Sequence, residues 1–228
     1  MKITDEEIKE KIREQLLWDD RINDTHIFIN IKDGNIKFDG FISSYYMKTL
    51  VTQNAKKIYG VISIENNLEV RYLPVPEKGI PSDNELQNII EKSLKLNANM
   101  DRSNISVKVN RGVVTLEGVV YTYWKRNIVL SIVSEFNGVI NIVNKISIAH
   151  FEHKDENINE DIVNTLERYP NVNVEDINIV VKDGIVSVSG KVGTWEEYDA
   201  VLEAIYYTHG VKGINNNIIL EISNKFHQ

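Results

Sequence analysis

Aromatic rings beside cations are the densest chemistry in this 228-residue chain, at Tyr121-Thr122-Tyr123-Trp124-Lys125-Arg126. An amphipathic ring next to an ammonium or guanidinium group suits the headgroup region of a membrane. Tyr121, Trp124, Lys125 and Arg126 are therefore the candidate contacts with a membrane surface or a protein partner. A second cluster, His150 and His153 with Glu152 and Asp155, has a spacing that could grip a metal. Zinc, however, needs a third and fourth ligand in firm geometry, and these residues sit in linker sequence, so they read as solvated and no metal is expected. Ser, His and Asp are scattered without a nucleophile motif, and no Gly-rich phosphate loop or recurring carboxylate pair is present. An enzyme is not expected, and no cofactor is implied.

Charge narrows the partners. The net charge of −7 is uneven: residues 1–75 carry 11 Lys/Arg against 12 Asp/Glu, residues 76–150 carry 9 against 7, and residues 151–228 carry 6 against 14. Nucleic-acid affinity comes mainly from cations on phosphates, so an acidic chain with no basic tract excludes a generic nucleic-acid binder. Attraction to an anionic bilayer also needs clustered cations, which favours the middle third over the last.

The elements that position these residues recur three times. Gly34, Gly112 and Gly184 are offset by 78 and then 72 residues; so are Gly40, Gly118 and Gly190, and so are Gly60, Gly138 and Gly210. A glycine recurs where the backbone needs positive φ or a close approach, so each triplet marks one geometry built three times. The stripe Ile8/Ile12/Leu16 returns as Leu86/Ile90/Leu94 and Ile158/Ile162/Leu166, one face of an amphipathic helix. Thr4 with Glu7, and Ser82 with Glu85, fit capping boxes; in the third copy Asp155 is the cap candidate.

Two alternating strands follow in each copy, joined at Asp33-Gly34, Arg111-Gly112 and Asp183-Gly184. Two turn residues of this kind signal a hairpin, and Ile31 opposite Ile36 makes turn and hydrophobic pattern agree on register. A second helix runs from about Tyr46 to Tyr59, with Gly60, Gly138 or Gly210 as its C′ glycine. A last strand carries Ile64/Leu68/Val70 and its counterparts. The expected fold is α+β: three αββαβ units at 3–72, 80–149 and 155–222, each with two helices on one face of a three-stranded mixed sheet. An aromatic recurs at Tyr45, Tyr123 and Trp195, which reads as packing of the second helix onto the sheet. Asn66, Asn144 and Asn216 sit in phase with the inward aliphatics of the last strand. They are read either as ligand or ion contacts, or as a bulge or amides bonding a neighbouring backbone.

The αββαβ unit, the Asp-Gly hairpin, the glycine six residues on, the Gly-Val pairs at 60–61, 138–139 and 210–211 and the last-strand asparagine together resemble the BON domain. That family is named for a bacterial osmotically induced periplasmic protein and for nodulation proteins. The resemblance covers roughly residues 3–70, 81–148 and 155–221. It implies a non-enzymatic role: binding phospholipid at the bacterial envelope, supporting envelope integrity, or sensing potassium in the cytosol. It carries no ligand site over residue by residue.

Between units one and two, residues 71–81 hold three of the four prolines and favour extended, semi-rigid backbone; residues 149–154 have neither Pro nor Gly, so units two and three are expected to be the more closely coupled pair. Residues 1–30 show no charged-then-apolar leader, and no apolar run approaches 18 residues. The expected location is the cytoplasm, or the periplasm if a leader has been removed. Two functions follow. One is a phospholipid or membrane-surface binding module in envelope or osmotic stress, whose partner is anionic lipid or a membrane-associated protein. The other is a cytosolic scaffold or potassium- or solute-responsive protein.

Overall fold

A computed structural model describes residues 3–22, 26–72, 79–97, 104–149 and 154–221. The first helix, α1 (Asp5–Trp18), starts at a capping box: the Glu7 amide donates to Thr4 Oγ1 at 3.3 Å and the Thr4 amide donates to the Glu7 carboxylate at 2.8 Å. The Thr4 amide and hydroxyl, both donating to it, hold the Glu7 carboxyl below its ordinary range. Ser82 and Glu85 repeat the box at α3 (Asp83–Leu96). The third copy differs from expectation. The cap of α5 (Asp155–Leu166) is Lys154, which makes no side-chain cap bond, and Asp155 is the first helical residue.

The reason lies in the hairpin turn. Asp155 accepts the amides of Asp183 at 2.7 Å and Gly184 at 2.9 Å. Asp5 does the same for Asp33 and Gly34, at 2.8 and 3.0 Å, and Asp83 for Arg111 and Gly112, at 2.7 and 2.9 Å. Each turn has both central residues at positive φ, as in Asp33 at 50° and Gly34 at 76°, so two successive amides point outward and a carboxylate can take both. One aspartate thus ties helix to hairpin in every unit.

The hairpins are β1 (Ile27–Lys32) with β2 (Asn35–Ile42), β5 (Asn104–Asn110) with β6 (Val113–Val120), and β8 (Ile177–Lys182) with β9 (Ile185–Val192). In the first unit the pairing is antiparallel and Ile31 lies opposite Ile36, the expected register. Gly34 is demanded by close approach as well as by φ: a Cβ there would lie 2.5 Å from the Gly60 carbonyl oxygen, and at Gly112 2.6 Å from that of Gly138. At Gly40, Gly118 and Gly190 a Cβ would collide with the carbonyl oxygens of His26, Asn104 and Asp176, at or just before the start of the facing strand.

The second helices are α2 (Tyr45–Lys56), α4 (Tyr123–Ser134) and α6 (Trp195–Tyr207). The first ends at Lys56 with Lys57 as its C-cap, so Gly60 lies past C′ rather than at it. Its φ of 98° and the Ile3 and Ile8 side chains, 2.7 Å from any added Cβ, explain the glycine instead. The last strands are β7 (Asn141–Ile148) and β10 (Gly213–Leu220), continuous, whereas the first unit splits into β3 (Ser63–Asn66) and β4 (Glu69–Val70), both parallel to β2. The sheet orders are β1-β2-β3 with β4 also on β2, β5-β6-β7, and β10-β9-β8.

The helix stripes form the cores. Ile158, Ile162 and Leu166 pack with Val186, Val188, Val201, Ile205 and Leu220 in the third unit, and each such side chain contributes about 1.5–3 kcal/mol when fully buried. The described residues fall into two compact units: residues up to Gly118 with Val129–Ile146, and Val119–Ile128 with Ser147 onward. The proline-rich residues 73–78, and His150, Glu152 and His153, lie outside the described residues.

Candidate functional site

The segment 121–126 turns from β6 into α4. Tyr121 is 41% exposed. Trp124 and Lys125 are half-buried, with Lys125 Nζ 5.7 Å from the Trp124 ring centroid, a cation–π pair. Arg126 is placed differently: its guanidinium carbon lies 4.4 Å over the Tyr123 ring. Its Nε is buried and has no hydrogen-bond partner among the described residues; the same holds for Thr122 Oγ1.

Tyr123 packs against the core of the third repeat and meets Tyr206 edge-on at 5.5 Å. Tyr206 also hydrogen-bonds Asn127, and burial pushes its phenol above the ordinary range. Trp195 packs on its own repeat's core, and Tyr123 joins Tyr206 and Tyr207 of α6. The structure therefore groups Trp124 with Lys125 as one pair and Arg126 with Tyr123 as another, with Tyr121 on the surface.

The asparagine triplet spends its side chains locally. Asn66, Asn144 and Asn216 each accept the amide two residues on, at 3.2, 3.0 and 3.0 Å. Asn66 also donates to Lys48 O and Thr52 Oγ1, and Asn216 to the Tyr198 hydroxyl, all on the second helix of their repeats. Asn144 and Asn216 are exposed although in phase with inward residues. Their strand is the edge of its sheet, so water reaches the amide and no buried polar cost arises.

Sequence reasoning missed two arrangements. The carboxylates of Asp5, Asp83 and Asp155 keep the glycine offsets of 78 and 72, a signal that was available. The second is a polar network confined to the first repeat. Asn54, 1% exposed, donates to Asp19 Oδ2 at 2.7 Å and to Leu50 O at 3.0 Å, and its oxygen accepts from Gln15 at 3.0 Å. Arg21 grips both oxygens of Asp19, at 2.8 and 2.7 Å, and holds its carboxyl well below the usual carboxylate range. Repetition could not reveal it, because neither Asp19 nor Asn54 recurs. Tyr72, at the end of the first repeat, reaches into the second: its hydroxyl accepts from Gly138 N at 2.7 Å and donates to Val139 O at 3.0 Å.

Among the described residues no helix is long and apolar enough to cross a membrane, and no group of three His, Cys, Asp or Glu side chains is set to hold a metal ion. Two solved structures described as the C-terminal domain of, and structural studies of, CdsD, a structural protein of the type III secretion system of Chlamydia trachomatis, are 12% identical to the chain. Both cover 96% of it, and the chain covers 100% and 94% of theirs, with TM-scores of 0.26 and 0.27. A comparison with curated proteins gives no match. The family model described as BON domain matches residues 4–72, 82–150 and 154–221. With repeat spacing, hairpin geometry and nearly the whole length in agreement, the chain belongs to the BON domain family and carries three tandem copies of the domain.

Proposed function

We propose that the protein is a non-enzymatic binding module that engages anionic phospholipid at a membrane surface through the second repeat, in envelope or osmotic stress. The observation that carries this reading is the Trp124–Lys125 pair next to exposed Tyr121. A ring that seats at the headgroup level and an ammonium stacked on it present apolar surface and positive charge together. Arg126 adds its charge from a fixed position over Tyr123. The family's general role as a non-catalytic binding domain agrees with this reading.

Co-sedimentation with neutral and anionic liposomes at low and moderate salt tests it. Binding to anionic liposomes alone, lost with salt, and weakened by Trp124→Ala and by Lys125→Glu, is the expected result. Equal binding by both variants would remove the site. No binding to either liposome would favour a second reading, a scaffold or solute-responsive protein. That reading is supported by apolar residues on the outer sheet faces, with Phe28 64%, Val180 53% and Ile219 59% exposed.

A further inference from the structure

An open cleft of about 430 Å³ lies between α5 and α6 of the third repeat, lined by Asp161, Arg168, Tyr169, Glu203, Ala204 and Tyr207 among others. Two of its lining positions differ from their counterparts in the first repeat. The first and third copies are offset by 150 residues (184 − 34), so Asn54 corresponds to Ala204 and Asp19 to Tyr169. In the first repeat the Asn54 amide occupies this place, bonded to Asp19 and Gln15. In the third, Ala204 ends at its methyl group and is buried in the repeat's core, and Tyr169, at the place of Asp19, packs against that core. In the second repeat Ile132 fills the position.

We propose that this cleft is a binding site for a small amine-bearing molecule of net positive charge. Asp161 comes from α5 and Glu203 from α6, so a carboxylate stands on each wall. Both residues are exposed, and neither is ion-paired among the described residues. Two tyrosines line the same cleft; Tyr207 is 58% exposed. Carboxylates with aromatic faces are the surroundings an ammonium group selects.

Arg168 is the one fixed cation of the lining, its guanidinium donating to Thr165 Oγ1 at 2.9 Å. It offers donors to a carbonyl or carboxylate at the other end of the ligand. Asp161, Glu203 and Arg168 together give a formal charge of −1, within a segment that carries 6 Lys/Arg against 14 Asp/Glu. The complement is a molecule of net charge +1 or more, with ammonium groups toward the two acids. A dibasic amino acid has this chemistry, and a diamine has its cationic part alone. The volume lies within the ~300–1,000 Å³ of small-molecule sites.

Isothermal titration of the full chain with L-lysine, putrescine and glutarate tests the assignment. L-lysine and putrescine are expected to bind saturably, with L-lysine the tighter because only it meets Arg168, while glutarate gives no heat of binding. Asp161→Asn and Glu203→Gln, both at exposed positions, should each weaken L-lysine binding roughly tenfold. The assignment is overturned if neither amine binds below about 10 mM, if both charge-removing variants bind as tightly as the parent, or if glutarate competes equally.

Discussion

The first and third repeats share a backbone plan but differ in the groove between their helices. In the first, Asn54 and Asp19 meet across it and Gln15 and Arg21 complete their hydrogen bonds. In the third, Ala204 and Tyr169 stand at those positions and a cleft remains. Filling a groove with a polar network helps only if every member is satisfied, because a buried amide or carboxylate left alone costs more than the network gains. The contrast shows where this fold is free to vary. The groove lies outside the glycine turns and helix stripes that define the unit, so one copy uses it for internal bonding while another leaves it open.

The largest effect should come from breaking the filled groove. Asn54→Ala removes the amide that joins Asp19 to Gln15 and is expected to cost about 3 kcal/mol, read as a drop in denaturant midpoint at constant slope. The reverse change, Ala204→Asn, places an amide in a packed core where Thr165 and Tyr169 stand at the positions of Gln15 and Asp19, and should cost about 1–2 kcal/mol. A stabilising outcome would mean that the two grooves are interchangeable.

What the two repeats share should respond next. Asp155→Ala strips the carboxylate from two turn amides and should cost about 2 kcal/mol. Asp5→Ala should behave alike by thermal melting, since its turn geometry is the same. A marked difference would show that the grooves alter how strongly each hairpin depends on its clamp.

Acid separates the repeats by a different measure. The folded-state carboxyl of Asp19 lies below its ordinary value of 3.8, chiefly through the hydrogen bonds from Arg21. Its stabilisation is therefore complete above the ordinary carboxylate range and is lost as pH falls below it. Asp19→Asn should flatten the acid limb of a stability–pH curve, and an unchanged limb would deny Asp19 this role.

The smallest effect is expected from Tyr72→Phe, about 1 kcal/mol, seen most directly as faster hydrogen exchange at the Gly138 amide. Burial raises the Tyr72 phenol above its ordinary value of 10.0, partly countered by the Gly138 amide. The contact is thus intact below pH 10 and weakens as pH rises beyond it. Tyr72→Phe should remove that share of the alkaline loss.

The fold was legible because three copies vote on each position. The stripe Ile8/Ile12/Leu16, the hairpin register at Ile31 and Ile36, and the capping boxes all rest on local spacing, which a sequence displays. Asp155 shows the limit: an acidic residue near a helix start is a natural cap, but its carboxylate bonds a turn 28 residues away, and distance along the chain hides such a partner. The end of α2 was misplaced because Gly60 serves a crowded turn rather than the helix. At the candidate site, the sequence placed Trp124, Lys125 and Arg126 together, yet only the three-dimensional contacts separate Arg126 over Tyr123 from the Trp124–Lys125 pair. The Asn54 network and the cleft over Ala204 were illegible for one reason: each exists in a single copy, so repetition averages it away.

Synthesis proceeds from the first repeat to the third, and the Tyr72 contact gives that order a thermodynamic direction. The hydroxyl finds its partners 66 and 67 residues further along, so while the chain is being made it stays in water after its own repeat is complete. It is desolvated only when the second repeat closes its glycine turn at 138–139. The second repeat therefore finishes something begun in the first, and its closure seals the boundary of the repeat already folded.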